Sequence, residues 1–462
     1  MTPSTATTLV TSEMLAEDLK TTWVPDVLGN IDLDLLLNKP LSFVDSWGVL
    51  ERLEVPRSAG GPLAVTLLGG QVHGELHRTV EGVRKAIDGL LAPGVCGYRR
   101  GAEIGFSYSS ENLRFQEFSE AEAETGWVAL ADVRRFFDHC TWDVVLRALD
   151  RLDMPAGVDR VRRFAEAAQR SGLRTLPAGY ADARLLANAV LAEADAAVEL
   201  PFARWVDDYR LFAASKAEAL AGLESLRAAL MAIGLDLNES KVAVMSARDF
   251  GAMSGLPLAS VYHPDAESPR QVRAALRTAF LHAVQSVATN RRELRFVLPR
   301  LAAQGDDIAL EWVMRNLRAM PWEAPRCAAY LLAFGDRPVV QQFVEQTLLD
   351  TAETSPWFAA RFAALACHTG ISDHNADAIA CAAVKTTSAA VEGLILRALA
   401  VSRHGRLVAD LTNETVRDAR AALASRREVG LPDGPAADCV PEETLAAMAV
   451  QPTPLPVVAS IL

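Results

Sequence analysis

Apolar and polar positions follow two different patterns along the chain, and the change falls near residue 255. Residues 23–255 mix short apolar runs, typical of strands, with apolar residues at helical spacing. Residues 127–133 predict a buried strand, and residues 182–200 predict a long helix. Ser215 and Glu218 predict a capping box at the start of another helix, which Gly234 would end. Residues 241–245 predict a further strand. Strands and helices in this mixed order predict an α+β domain.

After residue 270 the chain is rich in Ala, Leu and Arg and predicts helices almost throughout. Helix pairs recur at residues 326–350, 359–381 and 388–408, at a spacing typical of two-helix repeats of the HEAT kind. We therefore predict an all-α domain over residues 271–430, joined to the first domain by a Pro-containing linker at residues 256–270. Residues 1–22 are predicted to be a polar N-terminal extension, and residues 431–462 a Pro-rich tail.

Composition narrows the class of protein. The chain has 462 residues, half of them hydrophobic, which is enough for two or three domains with sizeable cores. Its six cysteines are scattered without a Cys-x-x-Cys pair, and no apolar run is long enough to cross a bilayer. The N-terminus lacks the pattern of a secretory signal. We therefore expect a cytoplasmic protein that does not bind a membrane.

The net charge of −12 disfavours a simple nucleic-acid coat protein but allows an enzyme with a local basic channel. Arginines crowd two segments, residues 160–174 and residues 291–300. Runs of this kind occur on solvated helix faces as well as along nucleic-acid channels, so the sequence leaves both interpretations open.

The most informative motif is the Asp207-Asp208 pair, which lies between two short apolar and aromatic runs. The two runs predict strands joined by a tight turn. Adjacent carboxylates repel each other, so the pair is costly unless a cation lies beside it. Hard oxygen ligands favour Mg²⁺. An acidic turn on the protein surface is the alternative interpretation of these residues.

A second acidic centre lies upstream at Asp132, which ends the strand predicted at residues 127–133. A strand fixes the backbone of a carboxylate at its end, and the loop that follows leaves room for a pocket. Asp132 is therefore a good position for a further metal ligand. It precedes Asp207 by 75 residues, and the helices predicted between them could pack under one sheet that carries both.

Taken in order, the motifs resemble those of reverse transcriptases of the group II intron, retron and abortive-infection lineage. The resemblance covers about residues 40–255. Its elements are a fingers segment at residues 55–63, a Gly-Tyr-Arg-x-Gly-like element at 96–101, and palm motifs at 132–138, 176–195, Asp207-Asp208, 234–241 and 250–251. This resemblance implies the right-hand polymerase fold, with fingers and palm at residues 23–255 followed by the HEAT-like helical domain.

The resemblance also implies the catalytic set. Asp132, Asp207 and Asp208 would be the catalytic residues and the metal ligands, with Mg²⁺ as the cofactor and Mn²⁺ as the second candidate. Asp132 and Asp207 would hold two cations that clamp the attacking 3′-hydroxyl and the leaving pyrophosphate. Asp208 would be the weaker ligand.

Five further residues are implied to contact the incoming nucleotide. Phe137 falls where the family places a steric gate against the ribose 2′-hydroxyl. Arg57 would hold triphosphate oxygens, Lys241 would protonate the leaving pyrophosphate, and Gly179 would let the backbone approach the nascent pair. Val133 would lie in the same nucleotide site. An ordinary core Phe, a surface Arg, a solvated Lys and a helix-entry Gly are the alternative interpretations.

Several positions depart from the family pattern. Ala178 stands where many relatives have Gln, Ala183 where they often have Ser, and Gly61 where a fingers Arg is common. Trp205 replaces the usual Tyr or Phe before the Asp pair. These changes remove polar groups that face template and nucleotide, and they put ordinary, faithful copying in doubt.

The helical region in place of a small thumb resembles that of bacterial defence reverse transcriptases. It implies an antiphage enzyme that makes DNA from dNTPs, with protein-primed, untemplated or non-coding-RNA-templated synthesis among the alternatives. RNA, nascent DNA, a dedicated non-coding RNA and a second copy of the chain are the implied partners. The alternative is an inactive polymerase-like scaffold that binds RNA or protein. An RNA-synthesising enzyme is a third possibility, which Phe137 disfavours.

Overall fold

The computed structural model describes residues 51–57, 61–68, 70–97, 108–123, 126–254, 268–285 and 291–404. These residues fall into two compact units. The described residues of Val65–Gly255 form the first unit, and those of Glu51–Ala64 and from Leu256 onward form the second. The predicted N-terminal extension, C-terminal tail, residues 58–60 and 98–101, and nearly all of the predicted linker lie outside the described residues.

The first unit is built around a four-stranded antiparallel sheet in the order β4-β5-β3-β6. Its strands are β3 (Trp127–Asp132), β4 (Phe202–Trp205), β5 (Asp208–Ala213) and β6 (Ala243–Ser246). Two earlier strands, β1 (Glu51–Val55) and β2 (Leu63–Leu67), pair separately. The strand predicted at residues 127–133 is confirmed as β3, which is buried or half-buried at every position and pairs with β5 on one side and β6 on the other.

The first unit contains helices on both sides of this sheet. They are α1 (Gly70–Leu90), α2 (Tyr108–Glu122), α3 (Phe136–His139), α4 (Trp142–Leu149), α5 (Pro155–Arg170), α6 (Ala181–Ala196), α7 (Lys216–Ala232) and α8 (Ala247–Ser254). On one face, Val128 and Phe212 form a core cluster with Phe115 of α2 and Phe250 of α8. On the other face α7 packs against β3, β5 and β6, while α6 packs against α7.

The local signals for α7 are confirmed. Ser215 Oγ accepts a hydrogen bond from the Glu218 backbone at 3.2 Å, and Glu218 accepts one from the Ala214 backbone at 2.9 Å. Gly234 follows the helix at φ 82°, a left-handed conformation that glycine adopts without steric cost. The predicted helix over residues 182–200 is shorter in the structure, because α6 ends at Ala196.

The described part of the second unit beyond residue 267 is helical. It contains α9 (Pro269–Gln285), α10 (Arg291–Ala303), α11 (Leu310–Asn316), α12 (Ala324–Leu332), α13 (Pro338–Thr351), α14 (Pro356–Thr369), α15 (Ala376–Lys385) and α16 (Ala389–Val401), with short 3-10 turns between α10 and α12. Neighbouring helices pack against each other, and α14 lies against α12, α13 and α16. The helices predicted up to residue 401 are therefore present, whereas residues 405–430 lie outside the described residues and the assignment to HEAT repeats stays a prediction. Within the described residues, no helix is both long and apolar enough to span a bilayer.

Candidate active site

Strands β4 and β5 are joined by a two-residue hairpin loop, Val206-Asp207. Trp205 and Asp208 are the last paired residues on either side of it. Val206 has φ 56°, which a two-residue hairpin requires at its first loop position and which glycine usually provides. A β-branched residue in this conformation is strained by about 1–3 kcal/mol. The predicted turn is therefore present, but Asp208 begins β5 and only Asp207 belongs to the loop.

Asp132 lies directly opposite Asp208 in the antiparallel pairing of β3 and β5. Opposite residues of such a pair project from the same face of the sheet, so both carboxylates lie on the face that Val128 and Phe212 occupy further along. The Val133 backbone N–H donates to the Asp207 carbonyl at 3.1 Å, which ties the end of β3 to the hairpin loop. The structure thus brings the three predicted carboxylates to the same end of the two central strands, β3 and β5.

Asp132 is 7% exposed and is held by two residues from the segment before β6. Asn238 Nδ2 donates to Asp132 Oδ1 at 3.0 Å, and Lys241 Nζ lies 2.5 Å from Asp132 Oδ2. The Asn238 backbone N–H also donates to the Asp132 carbonyl at 2.7 Å. Lys241, predicted to begin a strand, lies instead in the 3-10 turn Glu239–Lys241, and this turn aims its ammonium group at the carboxylate.

The two carboxylates of the hairpin have raised pKa values. Burial, and then the neighbouring Asp132, raise the pKa of Asp207 to about 6. Loss of surrounding water, followed by the charges of Asp207 and Asp132, raises the pKa of Asp208 to about 7, although Asp208 is an exposed residue. Crowded like charges of this kind are what a divalent cation would neutralise.

The donor set fits a hard divalent cation, because it consists of carboxylate oxygens. Across the part of the chain that the structure describes, however, no group of three or more His, Cys, Asp or Glu side chains is arranged so that it could hold a metal ion. At Asp132 the ammonium group of Lys241 instead neutralises the carboxylate that the cation would need.

Phe137 lies five residues after Asp132, just inside the short helix α3, and is half-buried. Its ring packs edge-on against Phe136 with centroids 5.3 Å apart, while Phe136 is the fully buried member of the pair. Arg135, at the N-cap of α3, adopts φ 47° and turns the chain between β3 and the helix. Phe137 therefore has a free portion of its ring, as a steric gate would need, whereas Phe136 is a core residue.

Gly179 and Val133, two of the residues predicted to contact the nucleotide, are both buried. Gly179 has φ 103°, a conformation that side chains other than glycine rarely adopt, in a buried segment that leads into α6. The next residue, Tyr180, accepts a hydrogen bond from the Leu68 backbone at 2.8 Å. Val133 is 1% exposed and forms a bridge with Leu237, and its predicted contact with the nucleotide stays a prediction.

Arg57 is exposed and belongs to the second unit, with no ion-pair partner among the described residues. Its predicted contact with a triphosphate stays a prediction. Two of the arginines at residues 160–174 pair with acids: Arg160 bonds Glu75 at 3.1 Å and Arg162 bonds Asp150 at 3.0 Å. Arg174 is exposed and has no ion-pair partner in the described ranges.

Sequence reasoning missed the support beneath the hairpin. Arg204 of β4 is fully buried and bonds Asp195 of α6 through both carboxylate oxygens, at 2.9 and 2.6 Å. Asn188 and Tyr209 complete the network. A usable signal was present, because an Arg within an apolar strand must find an acidic partner when it is buried.

The geometry can be compared with known proteins. Residues 79–284 match the sequence profile of the family described as reverse transcriptase (RNA-dependent DNA polymerase). The chain contains a reverse transcriptase domain. The matched segment includes β3 to β6 with all three carboxylates, and extends into α9 of the second unit. No curated protein matches the chain.

A reverse transcriptase domain implies nucleotide substrates, bound RNA or DNA, and divalent metal ions such as Mg²⁺. At the end of the sheet where the carboxylates meet, the residues that would hold the metal are Asp132, Asp207 and Asp208. The roles of the individual residues follow from the family resemblance and the geometry together, and they stay predictions.

Proposed function

We propose that the protein is an RNA-directed DNA polymerase that extends a strand by metal-assisted nucleotidyl transfer at Asp132, Asp207 and Asp208. The observation that carries this proposal is the register of the sheet, which sets Asp132 opposite Asp208 and beside the Asp207 loop within the matched domain. All three residues supply the oxygen ligands that Mg²⁺ prefers.

Asp132 and Asp207, with Asp208 as a weaker ligand, would hold the divalent ions, which would supply activation of the primer 3′-hydroxyl and neutralisation of the triphosphate. The chain itself supplies the frame, because these side chains would also orient the reacting groups. Phe137 excludes a ribose 2′-hydroxyl, and Lys241 is the residue placed to donate a proton to the leaving pyrophosphate once it is released from Asp132.

The decisive experiment replaces both hairpin carboxylates, Asp207→Asn together with Asp208→Asn, in the full chain. We expect dNTP incorporation on a primed RNA template to fall to background, with the fold retained, because the change removes crowded charge. Glu224→Gln, an exposed acid on α7, is the control and should leave activity unchanged. Activity of the double variant equal to that of the wild type would refute the assignment.

Sugar selection separates DNA synthesis from RNA synthesis. Phe137→Ala should admit ribonucleotides, which is measured as incorporation of rNTPs relative to dNTPs, while Phe136→Leu in the core should not. Equal rNTP use by the wild type and Phe137→Ala would mean that Phe137 is not the gate.

We further propose a role in antiphage defence. The helical second unit that follows the palm supports this proposal, because the resembling defence enzymes carry a helical domain there in place of a small thumb. A dedicated RNA template, protein-primed or untemplated synthesis, and a homo-oligomer belong to the same proposal. Expression of the wild type in a phage-challenged host should lower plaque formation, and the Asp207→Asn/Asp208→Asn chain should not. Equal protection by the wild type and the double variant would mean that defence does not depend on catalysis at these carboxylates.

One observation favours the second candidate function, an inactive polymerase-like scaffold. Lys241 already neutralises Asp132, and Ala178 and Ala183 replace polar residues in the second palm motif. A scaffold would bind RNA or protein without chemistry. Absence of dNTP incorporation with either Mg²⁺ or Mn²⁺, together with RNA that co-purifies with the protein, would decide for it.

A further inference from the structure

Arg204 is the most heavily bonded side chain near the hairpin, although it lies beneath the carboxylates. It is 0% exposed. Its guanidinium donates to Asp195 Oδ1 at 2.9 Å and Asp195 Oδ2 at 2.6 Å, to Asn188 Oδ1 at 2.7 Å, and to the Val206 carbonyl at 2.8 Å. Four of the five N–H donors of the guanidinium thus have acceptors.

The partners of Arg204 connect the hairpin loop to a rigid element. Asn188 and Asp195 are seven residues apart, so they project from the same side of α6. Asn188 Nδ2 in turn donates to the Gly97 carbonyl at 2.8 Å. The loop carbonyl of Val206 is therefore fixed relative to α6, not only relative to the neighbouring strands.

Both arms of the hairpin bind the same carboxylate. Arg204 approaches Asp195 from β4, and the Tyr209 hydroxyl donates to Asp195 Oδ1 from β5 at 2.8 Å. Arg204 and Tyr209 are opposite each other in the strand pairing and project from the face of the sheet away from Asp132 and Asp208. The network therefore supports the loop from the side that no substrate would occupy.

A buried guanidinium is costly, and a pair of this kind adds little net stability compared with apolar residues of similar size. Its position beneath the hairpin suggests that Arg204 holds the geometry of the loop instead of adding stability. Val206 is held at φ 56°, a strained conformation for a β-branched residue, and its carbonyl accepts a hydrogen bond from Arg204. Releasing that bond would let the loop relax and would move Asp207 relative to Asp132.

We propose that Arg204 is a positioning residue, which holds the Val206-Asp207 loop in its strained conformation so that Asp207 can share a divalent cation with Asp132. This inference rests on the proposed polymerase function. It differs from a purely structural role, because it predicts a loss of metal binding in a chain that remains folded. Groups that orient metal ligands typically change metal affinity or activity by about 10-fold to 100-fold.

The test uses three variants of the full chain. Arg204→Met with Asp195→Asn removes the buried ion pair without leaving a buried charge and keeps an acceptor for Tyr209. Arg204→Lys retains the charge but cannot bond Asp195, Asn188 and Val206 at once. Tyr209→Phe is the matched control, because it removes one bond to Asp195 and leaves the Val206 carbonyl bound.

Four quantities are measured: the thermal unfolding midpoint, Mn²⁺ affinity by electron paramagnetic resonance, and kcat and KM for dNTP incorporation. We expect both Arg204 variants to bind Mn²⁺ about 10-fold more weakly and to lose about 30-fold to 100-fold in kcat, with KM little changed. Tyr209→Phe should stay close to the wild type in all four.

A folded Arg204 variant with wild-type Mn²⁺ affinity and kcat would overturn the inference. If the Arg204→Met/Asp195→Asn chain does not fold, Arg204→Lys decides alone. The polymerase function and the positioning role of Arg204 can also fail separately. A wild-type chain that incorporates no dNTP refutes the polymerase, whereas Mn²⁺ binding and its dependence on Arg204 still test the positioning role.

Discussion

Lys241 shows how a single residue can balance the charge of a predicted metal ligand. Its ammonium group lies 2.5 Å from Asp132 Oδ2, and the Lys241 side chain is 45% exposed although Asp132 is buried. Because the ammonium group is accessible to water, a divalent cation with several carboxylate ligands would be able to displace it. Lys241 would then be free to act on the leaving pyrophosphate, which is the role predicted for it.

This exchange predicts the effect of removing the ammonium group. Lys241→Gln should bind Mg²⁺ or Mn²⁺ several-fold more tightly than the wild type, measured by isothermal titration calorimetry, because a competing cation is lost. Arg134→Gln is the matched control. Arg134 is also exposed at the end of β3 but pairs with Asp236 instead. Unchanged or weaker metal binding by Lys241→Gln would contradict the exchange.

The raised pKa values of Asp207 and Asp208 predict a pH dependence of stability in the absence of metal. Both exceed the ordinary Asp value of about 3.9, so between about pH 4 and 7 the folded state retains protons that the unfolded chain has released. Their contribution to stability is therefore fully present below about pH 4. It is lost as the pH rises through about 6 and 7.

We expect the free energy of unfolding of the metal-free chain, measured with urea, to decline over this interval more steeply than that of Asp207→Asn/Asp208→Asn. Excess Mg²⁺ should reduce the decline in the wild type only. Parallel pH curves for the two chains would show that these carboxylates are not raised in pKa.

At the scale of helices and strands, the sequence predicted the features that depend only on neighbouring residues. The strand at residues 127–133, the hairpin around Asp207 and the capping of α7 follow from alternation and from residues within a few positions of one another. The pairing of Asp132 with Asp208 does not, because register depends on contacts between residues far apart in the chain. The same holds for the Lys241 contact, for which local periodicity predicted a strand.

The helices of the second unit were predicted from composition, but their connections were not. Glu345 of α13 is 2% exposed and accepts hydrogen bonds from the Ser372 backbone at 2.5 Å, Ser372 Oγ at 2.9 Å and Asn375 Nδ2 at 2.5 Å. These donors belong to the segment that leads into α15. A buried acid with three donors therefore joins α13 to the start of α15.

Glu345→Ala should destabilise the chain by about 3 kcal/mol, because it leaves these donors buried without an acceptor. Glu311→Ala, which removes an exposed pair with Arg315, should cost less than about 0.5 kcal/mol. Guanidinium denaturation followed by circular dichroism measures both changes. Equal small effects would mean that Glu345 is not a structural link.

For the whole molecule, charge arrangement matters more than the net charge of −12. Arg160 and Arg162 on α5 are paired with acids of the protein, so these two carry little free positive charge toward a nucleic acid. Arg174 lies after α5, exposed and without an ion-pair partner among the described residues, two residues before the Leu176–Gly179 motif segment. Nucleic-acid binding is thus expected to depend on a few unpaired cations.

Arg174→Gln should weaken RNA binding and reduce the slope of log affinity against log salt by about 0.7–0.9. Arg162→Gln removes the same charge from a residue already paired with Asp150 and should change the slope much less. Fluorescence anisotropy at several salt concentrations distinguishes the two. Equal slopes for Arg174→Gln and the wild type would place the phosphate contact elsewhere.

The bonds around Asp132 also bear on when the candidate site can form during synthesis of the chain. Asp132 is held by Asn238 and Lys241, and Val133 is tied to Asp207. A ribosome that has released the chain only as far as the hairpin has therefore exposed all three carboxylates but not the segment that anchors the first of them. The site stays incomplete until residues 236–241 have emerged and folded back onto β3, so a truncated product that ends before them carries all three carboxylates without an ordered site.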